Sequence, residues 1–197
     1  MKIAMIGKGN VGQALAAGLR RAGHEVVHGV RAPERPDELP VVEAVAACEL
    51  AVLAVPYTAA LDVAAAIPDW GGKVLVDATN PILPGLSGLE VGTTGSGAER
   101  IAARAAKARV VKAFNTTGAE NLAQAAYPGG RGWMPVAGDD GEARAVVLEL
   151  AASLGFEAVD AGPLVAARYL EPFAMTWIHL AYRGGLGRGF AFGLLRR

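Results

Sequence analysis

The sequence predicts an α/β fold, in which helices cover both faces of a doubly wound parallel β-sheet and a small helical extension follows at the C-terminus. Two observations predict it. Short, nearly continuous apolar runs recur along the chain, which is typical of strands that are buried on both faces. Between these runs lie segments whose apolar residues recur at helical spacing. Strand–helix–strand repeats of this length form parallel sheets with right-handed crossovers.

The elements follow in order along the chain. The predicted strands are residues 2–6, 25–28, 50–55, 73–77, 109–114, 133–137 and 156–159. The predicted helices are residues 10–22, 41–47, 58–67, 98–106, 119–125, 141–154 and 163–182. Pro68 ends the third helix and Pro163 opens the last one, since proline is tolerated in a first helical turn. Residues 80–97 are rich in Pro, Gly, Ser and Thr and are predicted to form a loop.

Composition and charge exclude several classes of protein. Hydrophobic residues make up 52% of the 197 residues and charged residues 19%, which is typical of a packed globular protein and not of a disordered one. The 19 basic and 19 acidic residues balance, which argues against binding of nucleic acid by bulk charge. No apolar run reaches the length of about 18 residues that a membrane span needs. The first apolar run is too short for a signal peptide, so we expect a cytoplasmic protein without nucleic-acid or membrane partners.

Cysteine and histidine are too few to predict a metal site. Cys48 is the single cysteine, which excludes an internal disulfide and any site built from a pair of cysteines. His24 and His28 are four residues apart but lie on a predicted turn and strand, where that spacing does not form a metal-binding pair. His179 lies in the aromatic last helix and is interpreted as a core or interface residue.

The segment Gly7-Lys8-Gly9-Asn10-Val11-Gly12 matches the G-x-G-x-x-G pattern and lies between a predicted strand and helix, which is the context that the pattern requires. Gly7 permits the tight turn, Gly9 lets the backbone approach a pyrophosphate, and Gly12 lets the helix pack closely on the strand. The N–H groups and the dipole of the helix start favour phosphate. The sequence therefore predicts a Rossmann-type nucleotide-binding domain over residues 1–160, followed by a C-terminal helical segment over residues 161–197.

The end of the second strand predicts which nucleotide is bound. An NAD site usually has an acidic residue there for the ribose 2′-hydroxyl. This strand runs His28-Gly29-Val30-Arg31 and carries no acid, while Arg31 and Arg35 lie in one short loop. Guanidinium groups suit a 2′-phosphate, and Lys8 adds charge nearby, so we predict NADP over NAD. The alternative that both arginines are merely solvated loop charges stays open.

Five separated segments, in order, carry a resemblance to a known family: residues 2–12, 22–27, 77–81, 110–116 and 160–164. They resemble the NADPH-dependent coenzyme F420 reductases (F420:NADP oxidoreductases), and the similarity covers nearly the whole chain. The resemblance implies a dimer and hydride transfer between NADP and a 5-deazaflavin, coenzyme F420. Related domains occur in membrane ferric reductases, where the acceptor is a flavin. The family has Ser-Arg where this chain has Val30-Arg31, and a Thr is common where it has Lys8.

No pair of catalytic acid and base residues and no nucleophile turn is found, so we predict no catalytic side chain. Hydride transfer between two rings requires close approach in a site that excludes water, and the cofactors supply the electronics. Ligands of such sheets bind at the carboxyl ends of the strands. The residues predicted to hold the cofactor there are Val55, Pro56, Asn80, Pro81, Asn115 and Thr116. Both asparagines are candidates to bind ribose, nicotinamide or the second ring, or else to cap turns, as Asn commonly does.

The C-terminal segment is predicted to contribute both to the substrate pocket and to a homodimer interface. A flat second substrate needs an apolar wall, for which the candidates are Met134, Pro135, Leu170 and Trp177, with Arg168 for an anionic tail. An aromatic stripe, assigned to the interface, comprises Tyr169, Phe173, Trp177 and Leu180. A monomer is expected to leave the apolar tail, residues 190–195, exposed.

Two other functions remain open from the sequence. One is NADPH-dependent reduction of a small carbonyl or imine. The absence of lysine after Pro163 counts against the hydroxyacid dehydrogenases, which use a catalytic lysine there. The other is a non-catalytic, dimeric NADPH-binding module. In either enzymatic reading the second substrate is a small redox-active molecule.

Overall fold

An eight-stranded sheet forms the centre of the structure, a computed structural model that describes residues 1–197. The strands are β1 (Lys2–Ile6), β2 (Glu25–Val30), β3 (Glu38–Pro40), β4 (Leu50–Leu53), β5 (Val74–Asp77), β6 (Arg109–Lys112), β7 (Ala126–Tyr127), β8 (Gly130–Arg131), β9 (Trp133–Gly138) and β10 (Glu157–Asp160). Strands β7 and β8 form a separate hairpin. The other eight lie in the order β10-β9-β6-β5-β4-β1-β2-β3.

Seven helices cover the two faces of this sheet. They are α1 (Asn10–Arg21), α2 (Val41–Ala47), α3 (Tyr57–Ala65), α4 (Gly97–Ala102), α5 (Ala119–Leu122), α6 (Gly141–Ser153) and α7 (Ala167–Tyr182). One apolar core lies between the sheet and helices α1 and α6, and a second lies under α2, α3 and α4. The predicted doubly wound α/β fold is therefore confirmed. No helix combines the length and the apolar character that a membrane-spanning segment requires.

The strand order contains the Rossmann arrangement β3-β2-β1-β4-β5-β6, in which β1 and β4 are parallel neighbours and the order of the strands along the chain reverses between them. Strands β9 and β10 extend it, and β9 runs antiparallel to β6, with Lys112 opposite Ala137. The predicted parallel sheet is thus antiparallel at this one pair. Residues 113–132 contain only the one-turn helix α5 and the β7–β8 hairpin, and neither returns the chain to the edge where β6 begins.

Other elements also differ from their predictions. Strand β3 was not predicted, because it has three residues and contains both Glu38 and Pro40. The helix predicted to reach residue 106 ends at Ala102. The strand predicted to reach residue 114 ends at Lys112, because Phe114 has a φ of 63° and turns the backbone into the left-handed region.

The C-terminal tail folds back on its own chain. The backbone N–H of Trp133 donates to the carbonyl oxygen of Phe192 over 2.7 Å. Phe190 stacks on Trp177 at a ring separation of 5.3 Å, and Phe192 lies 4.8 Å from the ring of Phe173. The expectation that a monomer exposes this tail is therefore wrong for its aromatic residues, which a helix of the same chain half buries. The homodimer stays a prediction.

Candidate nucleotide-binding site

The carboxyl ends of five neighbouring strands form one row across the sheet. In register order they are Gly29, Ile6, Leu53, Asp77 and Lys112. The loops that follow β1, β4, β5 and β6 therefore leave the sheet at the same edge. Every residue predicted to hold the cofactor at a strand end lies in one of these loops, so the structure brings the predicted residues together at this edge.

The three glycines of the turn after β1 have distinct surroundings. Gly7 has a φ of +113°, and a Cβ there would lie 2.5 Å from the carbonyl oxygen of Ala54. A Cβ on Gly12 would overlap the carbonyl oxygen of Gly7. No atom lies within 4 Å of a Cβ built on Gly9, which is open to solvent. Gly7 and Gly12 are therefore required by the fold, whereas the space at Gly9 is free for a ligand.

The amino end of α1 has no partner from its own side chains. Gly9 is its N-cap residue, no side chain accepts a hydrogen bond from its first turn, and no acidic residue lies there. By contrast, the Asp140 side chain caps α6 by accepting from the N–H of Ala143 over 2.7 Å. The free N–H groups of α1 therefore face the open space beside Gly9, where an anion such as pyrophosphate is favoured.

A polar cleft of about 490 Å³ lies next to this turn. Its lining residues are Lys8, Gln13, Arg20, His28, Arg35, Asp37 and Glu38. Lys8 pairs with Glu38 over 3.3 Å and Arg20 pairs with Asp37 over 2.9 Å, so these four charges balance. Arg35 has no carboxylate within 4 Å, and neither has the exposed Arg31 at the end of β2. The guanidinium group of Arg35 in the cleft and that of Arg31 nearby in sequence are therefore left without a carboxylate partner. Such groups suit a 2′-phosphate.

Glu38 is the acid that the sequence reading of this cleft missed. Strand β3 pairs with β2 and places Glu38 opposite His28, although ten residues of sequence separate the two side chains. The Glu38 carboxylate accepts from the N–H of Glu34 over 2.8 Å. This hydrogen bond, together with the charges of Lys8 and Arg35, holds the pKa of Glu38 below its ordinary value despite burial. The carboxylate is thus charged at neutral pH and is occupied by partners of the same chain.

Asn80 and Asn115 hold each other across the loops that follow β5 and β6. The Nδ2 of Asn80 donates to the backbone oxygen of Asn115 over 2.8 Å, and the Nδ2 of Asn115 donates to the Oδ1 of Asn80 over 3.0 Å. The Oδ1 of Asn115 is buried and has no partner. Each asparagine therefore shapes a loop, and one buried acceptor remains for a ligand, such as the amide of nicotinamide. Pro81 and Thr116 are buried beside them, while Val55 is half-buried and Pro56 exposed.

Three buried charges beneath these loops were not predicted. They are Asp77, Lys112 and Glu171, and each side chain is at most 1% exposed. Asp77 ends a strand that is otherwise apolar, and Lys112 follows the apolar pair Val110-Val111 at the end of β6. A charge directly after a buried apolar run is the pattern that would have revealed them. Glu171 lies in α7 among buried apolar residues.

The predicted apolar wall for a second substrate is not an open surface. Met134 is fully buried, and its sulfur accepts from the N–H of Phe114 over 3.1 Å. Trp177 is 3% exposed and donates from Nε1 to the carbonyl oxygen of Phe190 over 2.8 Å. Leu170 and Pro135 are also buried. In the aromatic stripe only Tyr169 is largely exposed, so the wall and most of the stripe belong to the packing of this chain.

Arg168, predicted to bind an anionic tail, is occupied by another partner. Its guanidinium donates to both carboxylate oxygens of Glu99, with Nη2 to Oε1 at 2.7 Å and Nε to Oε2 at 2.9 Å. This pair joins α4 to α7. The guanidinium group of Arg168 is therefore already engaged by a carboxylate of the same chain and is not free to bind the anionic tail of a second substrate.

Known proteins are similar to this chain in fold and in sequence. The family of coenzyme F420-dependent NADP oxidoreductases matches residues 2–81. The crystal structure of a candidate F420-dependent NADP reductase from Arthrobacter sp. FB24 is 30% identical, with a TM-score of 0.83, and the match covers 100% of both chains. A hypothetical protein from Sinorhizobium meliloti, SMa0349, is 30% identical with a TM-score of 0.77 over 88% of this chain and 90% of its own.

A similar stretch occurs inside a longer animal protein. The metalloreductase STEAP3 of Rattus norvegicus is 33% identical over an alignment of 178 residues, and the match covers 86% of this chain. The match covers 36% of STEAP3, so the present chain spans about a third of that protein's length.

Proposed function

We propose that this protein, which belongs to the coenzyme F420-dependent NADP oxidoreductase family, transfers a hydride between NADPH and a deazaflavin such as coenzyme F420, or a flavin. NADP-dependent oxidoreduction is the activity of the family. The choice of acceptor is the finer part of the proposal. It is supported by the full-length similarity to the Arthrobacter protein and by the similarity to a metalloreductase.

One observation carries the proposal: an open, uncapped glycine turn lies beside a cleft lined by Arg35, whose guanidinium has no carboxylate partner. Arg31, which is also without one, directly follows the neighbouring strand β2. The open side of Gly9 and the free N–H groups of α1 would hold the pyrophosphate. Arg31 and Arg35 would hold the 2′-phosphate, with Lys8 adjacent. The residues present therefore fit NADP(H), whose reduced form, NADPH, would supply the hydride when it is bound.

The other end of the same edge supports transfer between two rings. Asp77 and Glu171 are buried and both face Lys112, so neither carboxylate is free to exchange a proton with a substrate. A carbonyl or imine substrate needs a proton donor at the reacting atom. A deazaflavin or flavin ring takes up a hydride at one ring atom and a proton from water at another. The chain therefore needs only to bind and orient the two rings and to exclude water around the atoms between which the hydride moves.

Turnover with defined acceptors tests the proposal. The purified chain is mixed with NADPH and, separately, coenzyme F420, FMN, FAD and a small cyclic imine, while the absorbance of the reduced nicotinamide is followed. We expect NADPH to be consumed with F420 or a flavin, and NADH to be consumed more slowly. Turnover with the imine alone would favour reduction of a small substrate, and NADPH binding without any turnover would favour a non-catalytic module.

The homodimer is part of the same proposal. Tyr169 and Tyr182 of α7 are 67% and 54% exposed and remain for an interface after the tail has covered Trp177. Sedimentation equilibrium of the full chain measures the mass directly. A mass twice that of the chain supports the dimer, and a monomeric mass at micromolar concentration contradicts it.

A further inference from the structure

Three charged side chains are buried together beneath the loops after β5 and β6. The Nζ of Lys112 lies 2.8 Å from Asp77 Oδ2 and 2.9 Å from Glu171 Oε1, and it donates to the backbone oxygen of Thr79 over 2.6 Å. Burial by itself would lower the pKa of Lys112, but the two carboxylates raise it above its ordinary value. The cluster therefore holds an ammonium group between two carboxylates in the interior.

The remaining oxygens of the cluster also have partners. Asp77 Oδ1 accepts from the N–H and the hydroxyl of Thr79 over 2.9 and 2.7 Å. The Glu171 carboxylate accepts from the N–H of Gly97 over 2.8 Å and from that of Ala98 over 3.1 Å, at the start of α4. A buried ionic cluster that is fully hydrogen-bonded fixes the geometry of every segment it touches.

The cluster is connected to the edge of the sheet where the strands end and the cofactor is proposed to bind, here called the cofactor edge. Thr79, which is held by both Asp77 and Lys112, is followed by Asn80. Leu170, the neighbour of Glu171 on α7, accepts from the Nδ2 of Asn115 over 3.2 Å. The cluster thus anchors both loops whose asparagines hold each other, and it anchors them to α7.

The positions of Asp77 and Lys112 in the sheet indicate that these charges do more than stabilise the fold. In the row of strand ends, β1 and β4 end in the apolar Ile6 and Leu53, whereas β5 and β6 end in Asp77 and Lys112. Well-packed apolar residues stabilise a fold as well as a buried ionic cluster does, or better. The charges occur where the loops carry Asn80 and Asn115, whose buried Oδ1 lacks a partner.

We infer that Asp77, Lys112 and Glu171 are positioning residues, which hold the Asn80 and Asn115 loops in the shape that binds the nicotinamide half of NADP(H). The inference rests on the proposed function for the identity of the nucleotide. It predicts that the cluster acts on one half of the nucleotide only, because the glycine turn, Arg31 and Arg35 lie on other loops.

Two ligands separate the halves of the site. Adenosine 2′,5′-bisphosphate carries the 2′-phosphate but lacks nicotinamide, and NADPH carries both. Isothermal titration calorimetry of each ligand is carried out on the full chain, on Glu171→Gln and on Asp77→Asn, at temperatures where thermal unfolding shows each variant to be folded. Glu99→Gln is the matched control, because Glu99 also joins α4 to α7, through Arg168, but does not touch the cluster.

In both cluster variants we expect NADPH to bind at least about fivefold more weakly, the loss expected for one net hydrogen bond, while the bisphosphate binds within about twofold of the wild type. The control should alter neither. Parallel weakening of both ligands, or no weakening of either, would overturn the inference. The calorimetric comparison of NADPH with the bisphosphate needs no hydride acceptor. If no acceptor were turned over, the proposed function would be overturned, but the comparison would still test the role of the cluster.

Discussion

The two ends of the cofactor edge are built on opposite principles. At the first crossover, Lys8, Arg31 and Arg35 are exposed, and the two arginines have no ion-pair partner. At the ends of β5 and β6, Lys112 is fully buried and has two carboxylate partners. The open end keeps charge available for a ligand, while the buried end has used its charge within the protein.

Because of this difference, the exposed charges should affect the affinity for the nucleotide and the buried charges should affect the stability of the fold. Exposed charges contribute little to folding, because water already solvates them, but they attract an anionic ligand. Buried, mutually paired charges contribute little to the attraction of a ligand, yet removing one leaves the others unpaired at high cost. Mutations at the open end should therefore change nucleotide binding, and mutations at the buried end should change stability and loop geometry.

The largest effect is expected from Lys112→Met. The substitution leaves Asp77 and Glu171 facing each other without a cation, which should lower the free energy of unfolding by about 3–5 kcal/mol. Urea denaturation followed by tryptophan fluorescence measures it. The matched change at the open end, Lys8→Met, should leave the urea midpoint almost unchanged. Equal midpoint shifts for the two variants would contradict the contrast.

Arg31→Ala should come next in size. Loss of a charge-assisted contact costs about 1.5–3 kcal/mol, which corresponds to a tenfold or larger rise in the KM for NADPH, with little change for NADH. Steady-state kinetics or calorimetry with both nucleotides measures the change. The control is Arg104→Ala, because Arg104 is also exposed but lies before β6, at the opposite edge of the sheet. An equal effect on NADPH and NADH would refute the role of Arg31.

Two glycine variants sharpen the contrast within the turn itself. Gly12→Ala places a methyl group against the carbonyl oxygen of Gly7 and should lower stability by about 1–3 kcal/mol, the usual cost of overpacking. Gly9→Ala meets no atom of the fold and should cost less than about 1 kcal/mol. Nevertheless, it should weaken NADPH binding, because the methyl group fills the open space beside α1. If Gly9→Ala bound NADPH normally, the phosphate would have to lie elsewhere.

Glu38→Gln should have the smallest effect and the opposite sign. It frees Lys8 and removes a negative charge from the cleft, so NADPH should bind up to about fivefold more tightly in calorimetry, as expected for one exposed pair. Weaker binding would show that Glu38 helps to hold the nucleotide.

The pH dependence of this variant has a defined sign. The folded state lowers the pKa of Glu38, so the carboxylate stabilises the fold above the ordinary glutamate range, and that contribution disappears as the pH falls through the lowered value. The difference in melting temperature between wild type and Glu38→Gln should therefore be present at neutral pH and vanish in acid. A difference that persists in acid would mean that the charge is not its cause.

Local patterns made most of the fold predictable. The glycine turn and the helix bounded by residues 41 and 47 depend on residues close in sequence, and the structure matches them. The direction of β9 and the short strand β3 depend on how distant segments meet. The pairing of Lys112 with Glu171 joins β6 to α7, and it is set by tertiary packing that no local period encodes. The predicted wall failed for the same reason, since the tail that covers Trp177 comes from residues 190–192.

The binding of two adenosine phosphates to the wild-type chain tests the central claim most directly. Adenosine 2′,5′-bisphosphate and adenosine 5′-monophosphate each carry the adenosine and one 5′-phosphate, and they differ only in the 2′-phosphate that Arg31 and Arg35 are proposed to hold. Calorimetric titration should show the bisphosphate binding at least about tenfold more tightly, as a charge-assisted contact requires. Equal affinity for the two, or tighter binding of the monophosphate, would contradict the assignment of this site to NADP.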